Sequence, residues 1–228
     1  MEPSVDTKEP ALGVEEQSRI VELYDRLDRL DHYTLLGVAA TDDTKTIKRA
    51  YLAKAKAHHP DRFFRKDIGA LRPKIEAIFA ALTAAESTLS SKTKRAAYDE
   101  YLREVLKTRM NRRQGLALEA ERKWQAAAET WRRVVEKLPT DAYVQHRYAY
   151  ALLRAGVDLD AARAAALRAI DLDGARAEYR LTAACVHLAE NRDRSALAQL
   201  AIACELDPDR ADVNVLYAAL GARVGRRD

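Results

Sequence analysis

Chain breakers and cross-links are scarce in this sequence: its 228 residues include eight glycines, six prolines and two cysteines. Cys185 and Cys204 both stand in Ala/Leu-rich surroundings, so they read as small buried hydrophobes rather than as a disulfide or metal ligands. Few breakers, and no stretch of alternating Val, Ile and Thr, leave helix as the dominant structure. No apolar run approaches the ~20 residues that cross a bilayer, and residues 1–6 do not form a basic segment leading into an apolar one. A soluble, cytoplasmic protein without membrane contact is expected. There is no Gly-rich phosphate loop, His-Glu-x-x-His, Cys-x-x-Cys or nucleophile elbow, so no enzymatic activity, catalytic residue or cofactor is expected. His58 and His59 are adjacent and face apart, with no third ligand in view, so no metal site is expected either.

What is present is apolar surface and balanced charge. Hydrophobic residues make up 48% and charged residues 32%, enough for two small domains and too apolar for general disorder. Lys+Arg number 39 against 35 Asp+Glu, a near balance that disfavours nucleic acid as a partner. Residues 1–13 carry Pro3, Pro10 and Gly13 without periodicity and read as a disordered tail. In residues 14–30, Ile20, Leu23, Leu27 and Leu30 recur at three- and four-residue spacing, which predicts a leading amphipathic helix packed on the domain that follows.

The most informative stretch is a basic helix running into His59-Pro60-Asp61. Pro60 has no backbone donor and pushes His59 out of the helical region, so the helix stops there and displays His59 and Asp61 on a loop tip. Thr41, Asp42, Asp43 and Thr44 mark its start. Ile47, Ala50, Tyr51, Ala55 and His58 form its inward stripe, leaving Lys45, Lys48, Arg49 and Lys56 outward. Upstream stand Asp31-His32-Tyr33-Thr34-Leu35-Leu36-Gly37; downstream stand Phe79, Leu82, Ala85, Leu89 and Lys94-Arg95-Ala96-Ala97-Tyr98-Asp99. In this order and spacing the residues resemble the J domain of the DnaJ co-chaperone family, assigned here to residues 31–103.

The resemblance implies an antiparallel helix pair, Thr44–His58 and residues 73–90, with His59-Pro60-Asp61 at the connecting end. It further implies docking on a DnaK-type heat-shock chaperone and stimulation of that partner's ATP hydrolysis. His59, Pro60, Asp61, Lys45, Lys48, Arg49, Lys56 and Arg62 are the chaperone-binding candidates. Three residues depart from the family pattern: Lys54 in place of a core Leu, His58 in place of an aromatic, and Glu86 in place of a Tyr. Lys54 is expected to snorkel outward with Glu76 as its partner, because a buried ammonium is costly. These departures keep a second reading open, an interaction scaffold whose J fold is retained without activity.

Residues 92–114 contain neither Pro nor Gly, so the closing helix of this domain is expected to continue onward with at most a short interruption near 108–111. Residues 104–228 then repeat: Pro139, Gly174 and Pro208 end similar units spaced by 35 and then 34 residues. That period resembles the tetratricopeptide repeat, whose helix pairs bury their cores by stacking. Small residues share the register: Gly115, Ala127 and Val134; Ala149, Ala162 and Ala169; Ala184, Ala196 and Ala203. Leu118, Trp124 and Trp131 supply bulk to the first unit. The fold class is therefore all-α, a J-domain helical hairpin followed by a short α-solenoid. In the repeat geometry the first helix of each pair lines a groove, here Arg109, Arg112, Arg113 and Leu116, then Tyr143, His146, Arg147 and Tyr150, then Leu181, Cys185 and Leu188. This groove is the candidate site for an unidentified client or docking protein. The Lys and Asn positions that grip a terminal carboxylate in such repeats hold Leu116, Arg112 and Tyr150 here, which disfavours a carboxylate clamp.

Overall fold

The computed structural model describes residues 12–64, 66 and 68–226, so the tail expected at 1–13 lies outside the described residues as far as residue 11. Leu12 corrects the remainder: it is buried, and its carbonyl accepts from Gln17 Nε2 at 2.6 Å. Among the described residues every regular element is helical, and none is long and apolar enough to cross a membrane. The backbone divides into two units, Met1–Leu102 and Arg103–Asp228.

The first unit is built around α3 (Thr44–His58) and α4 (Arg72–Leu89). Asp43 starts α3 by accepting the Thr46 amide at 2.8 Å, which satisfies one of the orphan donors of the first turn. Pro73 sits in the first turn of α4, where its missing N–H is harmless. Tyr51 of α3 meets Thr83 of α4, hydroxyl to hydroxyl at 3.4 Å. His59, past the end of α3, meets Phe79, nearer the start of α4. Contacts in opposite chain order make the pair antiparallel. Ile47, Ile75, Ile78, Leu82 and Leu89 fill the seam, all essentially without solvent exposure. Preceding the pair are α1 (Val14–Arg26), which seats Ile20 in this core, and the short α2 (His32–Leu36), capped by Asp31 and closed by Gly37 at φ 72°.

The long α5 (Lys92–Ala120) runs unbroken through residues 108–111, where poorer helix formers cluster. Its first turns tie down α2 and the loop after it. Arg95 donates to the carbonyls of Asp42 and Ala40 at 2.8 and 2.9 Å, Tyr98 accepts the His32 amide at 2.9 Å, and Asp99 accepts the Tyr33 hydroxyl.

In the second unit, the end of α5 is followed by α6 (Trp124–Lys137), α7 (Ala142–Ala155), α8 (Leu159–Leu172), α9 (Ala177–Ala189), α10 (Asp193–Leu206) and α11 (Ala211–Val224). From α6 onward each packs on the next, a solenoid of helix pairs. All nine small register positions named from the sequence are buried. Gly115 shows why: a Cβ there would lie 2.7 Å from the Trp131 ring, so only glycine lets α5 and α6 approach this closely. Trp131 is fully buried, whereas Trp124 is a half-buried residue in the first turn of α6, so only one of the two tryptophans fills the core.

Candidate functional site

The His59-Pro60-Asp61 turn is held by local chemistry. His59 leaves the helix at ψ 130°, as the residue before a proline must, and Pro60 opens a 3₁₀ turn, Pro60–Phe63. His59 Nδ1 accepts the Asp61 amide at 3.2 Å, which places the ring proton of the neutral imidazole on Nε2. The same ring stands at 76° to that of Phe79, centroids 4.9 Å apart. Phe63 is buried beneath the turn, while the Asp61 side chain is 86% exposed. The turn thus presents a carboxylate and an oriented imidazole on a backbone anchored from below.

Lys45, Lys48, Arg49 and Lys56 are all exposed on the outward face of α3. Arg62 differs from them. Its guanidinium pairs with Glu16 of α1 at 2.8 Å and donates to the Ala57 carbonyl at 2.8 Å. The sequence places Arg62 among the basic candidates and Glu16 near the start of the leading helix but does not join them, because the pair links residues 46 apart and no periodicity encodes it.

The three departures are each accommodated. Lys54 corrects the expectation that it pairs with Glu76: its ammonium donates to the Leu35 carbonyl, beside Gly37. The last carbonyls of α2 have no helical partner and carry the negative end of its dipole, so they supply what a carboxylate was expected to supply. Burial pushes the Lys54 pKa below its ordinary value. His58 is folded onto its own helix through the Lys54 carbonyl at 3.0 Å, and Glu86 accepts the Ser90 hydroxyl at 2.8 Å. Each of these three hydrogen bonds goes to a group outside the turn.

The repeat groove is more preorganised than its sequence suggests. Arg109, Arg113 and Leu116 are exposed, whereas Arg112, Tyr143, Arg147, Tyr150, Leu181, Cys185 and Leu188 are half-buried. Arg112 pairs with Asp141 at 3.1 Å and lies over Tyr143; Arg147 lies over Tyr143 and Tyr150; Arg154 lies over Tyr150 and Trp124. The result is a ladder in which guanidinium planes alternate with aromatic faces. Glu119, buried at 6% exposure, anchors it by pairing with Arg147 and accepting Trp131 Nε1 at 2.6 Å. A glutamate four residues after Gly115, on the same inward face, was the available signal for this role.

His146 needs correction as a groove residue. It is 6% exposed and lies between Tyr179, centroids 4.7 Å apart, and Tyr150 at 6.4 Å, so its ring is packing rather than surface. Burial pushes its pKa down to about 4; Glu178 opposes that shift and Arg210 adds to it.

Comparison with known proteins assigns part of this geometry. The family model described as the DnaJ domain matches residues 31–99. The curved DNA-binding proteins of Salmonella choleraesuis (strain SC-B67) and Escherichia coli O1:K1 / APEC are each 40% identical to this chain over 70 residues. That match takes in 31% of this chain, which spans only about a fifth (21%) of those relatives' length. Among solved structures, the first TPR of Spaghetti (RPAP3), bound to an HSP90 peptide, is similar in fold at a TM-score of 0.50 and 13% identity. It covers 53% of this chain and 94% of that one. With the turn, its antiparallel helix pair and the Arg95–Tyr98–Asp99 tie all inside the matched range, residues 31–99 are a DnaJ domain, borne on a chain that continues as a tetratricopeptide-like solenoid.

Proposed function

We propose that this chain is a J-domain co-chaperone that docks on a DnaK-type heat-shock chaperone and stimulates that partner's ATP hydrolysis, hydrolysing nothing itself. The observation that carries the reading is the exposed His59-Pro60-Asp61 turn closing an antiparallel pair whose outward face is basic. Lys45, Lys48, Arg49 and Lys56 attract an acidic surface on the partner, Arg62 adds to them once released, and His59, Pro60 and Asp61 make the contact that triggers hydrolysis. Lys54, His58 and Glu86 bond away from the turn, which favours this reading over an inactive scaffold. The repeats bring a client or docking protein, with Arg109 and Arg113 as exposed cations beside the Arg112–Tyr143–Arg147–Tyr150 ladder.

Single-turnover ATP hydrolysis by a DnaK-type chaperone tests the reading. The wild-type chain should raise the rate, and Asp61→Asn and His59→Gln should each abolish the increase. Equal rates with wild type, with both variants and with no added protein would leave the scaffold.

A further inference from the structure

The leading helix precedes the DnaJ domain, yet its Glu16 carboxylate sits on the one basic candidate that directly follows the turn. We propose that α1 is a built-in competitor for the partner: Glu16 occupies at Arg62 the place that an acidic group of the docking chaperone takes, and docking displaces it. This rests on the reading under Proposed function and assigns its docking surface an internal brake.

Four observations carry it. Among the described residues, Lys45, Lys48, Arg49 and Lys56 make no ion pair, so Arg62 is the only one of the five cations already neutralised. The competing carboxylate is not on a loose arm. Leu12 and Ile20 are buried on either side of it along the chain, and farther along α1 Lys74 of α4 pairs with Asp25 at 3.8 Å and lies over the Tyr24 ring at 4.2 Å. The pair is nevertheless open to exchange: the side chains of Arg62 and Glu16 are 46% and 34% exposed, and water can replace either partner. Finally, Arg62 Nη1 also donates to the Ala57 carbonyl, a second partner that does not involve Glu16 and can hold the side chain at the end of α3 when its charge is freed.

An exposed ion pair is worth at most about 1 kcal/mol, so removing the competitor should tighten docking about two- to fivefold. The experiment is a double-mutant cycle on the full chain: wild type, Glu16→Gln, Arg62→Gln and the double variant, each titrated into single-turnover hydrolysis by a DnaK-type chaperone. Glu16→Gln should lower the half-saturating concentration by that factor with the maximal rate unchanged, and should have no effect in the Arg62→Gln background. An unchanged or higher half-saturating concentration overturns the proposal. So does an equal gain in the Arg62→Gln background, since the effect would then be one of net charge. Absence of stimulation by all four proteins overturns the co-chaperone reading itself and this inference with it, whereas stimulation indifferent to Glu16 overturns the inference alone.

Discussion

Glu119 and His146 show how much a single buried side chain decides in the repeats. Removing the charge of Glu119 leaves Arg147, 23% exposed, as a partly buried cation without its carboxylate, and breaking such a pair is far costlier than never having it. Glu119→Gln keeps an acceptor for Trp131 but should still cost about 2–4 kcal/mol. Both tryptophans, Trp124 and Trp131, lie in the second unit, so urea unfolding followed by tryptophan fluorescence measures this directly. His146 gives a pH dependence of definite sign. Its folded pKa, about 4, is below the unfolded value near 6.5, so between those values the unfolded chain binds the proton and the folded one does not. Stability is fully present above pH 6.5 and falls as the pH drops toward 4, by up to about 3 kcal/mol from this group. His146→Leu should flatten that part of the profile; a profile identical to wild type would show that the ring takes up its proton in the folded state.

At the scale of elements, helix ends carry the next prediction. Arg122, Gly156 and Asn191, 34 and then 35 residues apart, all have positive φ, of 57°, 67° and 60°. They occupy the same turn between the two helices of each repeat, and only the middle one is glycine. An L side chain there is strained by about 1 kcal/mol. Arg122→Gly should therefore be neutral to stabilising by up to about 1 kcal/mol, and Gly156→Ala destabilising by about as much, in the same fluorescence-detected urea curves. Gly115 has ordinary helical φ, and its constraint is space: Gly115→Ala pushes a methyl into Trp131 and should cost about 1–3 kcal/mol.

For the whole molecule, the consequence of placing the candidate chemistry on an exposed turn is that function and folding can be separated. The Asp61 side chain is 86% exposed. Asp61→Asn should leave both the circular dichroism and the fluorescence unfolding curves of the full chain within about 0.5 kcal/mol of wild type while removing ATPase stimulation. A large stability loss would mean that Asp61 supports the fold. The sequence by itself determined what is local: Asp43 as the cap that starts α3, Pro60 as the stop that exposes the turn, and the 34–35-residue register with its nine buried small positions. Each follows from backbone chemistry or period within a few residues. The tertiary structure decided which distant groups meet: Lys54 with the Leu35 carbonyl instead of Glu76, Glu119 with Arg147, Glu16 with Arg62, and His146 between two tyrosines instead of in the groove. Period says which face of a helix turns inward but not which atom from another helix waits there. A charged head on a flexible stem goes to whichever partner the packing brings within reach, so these pairings follow from the assembled fold.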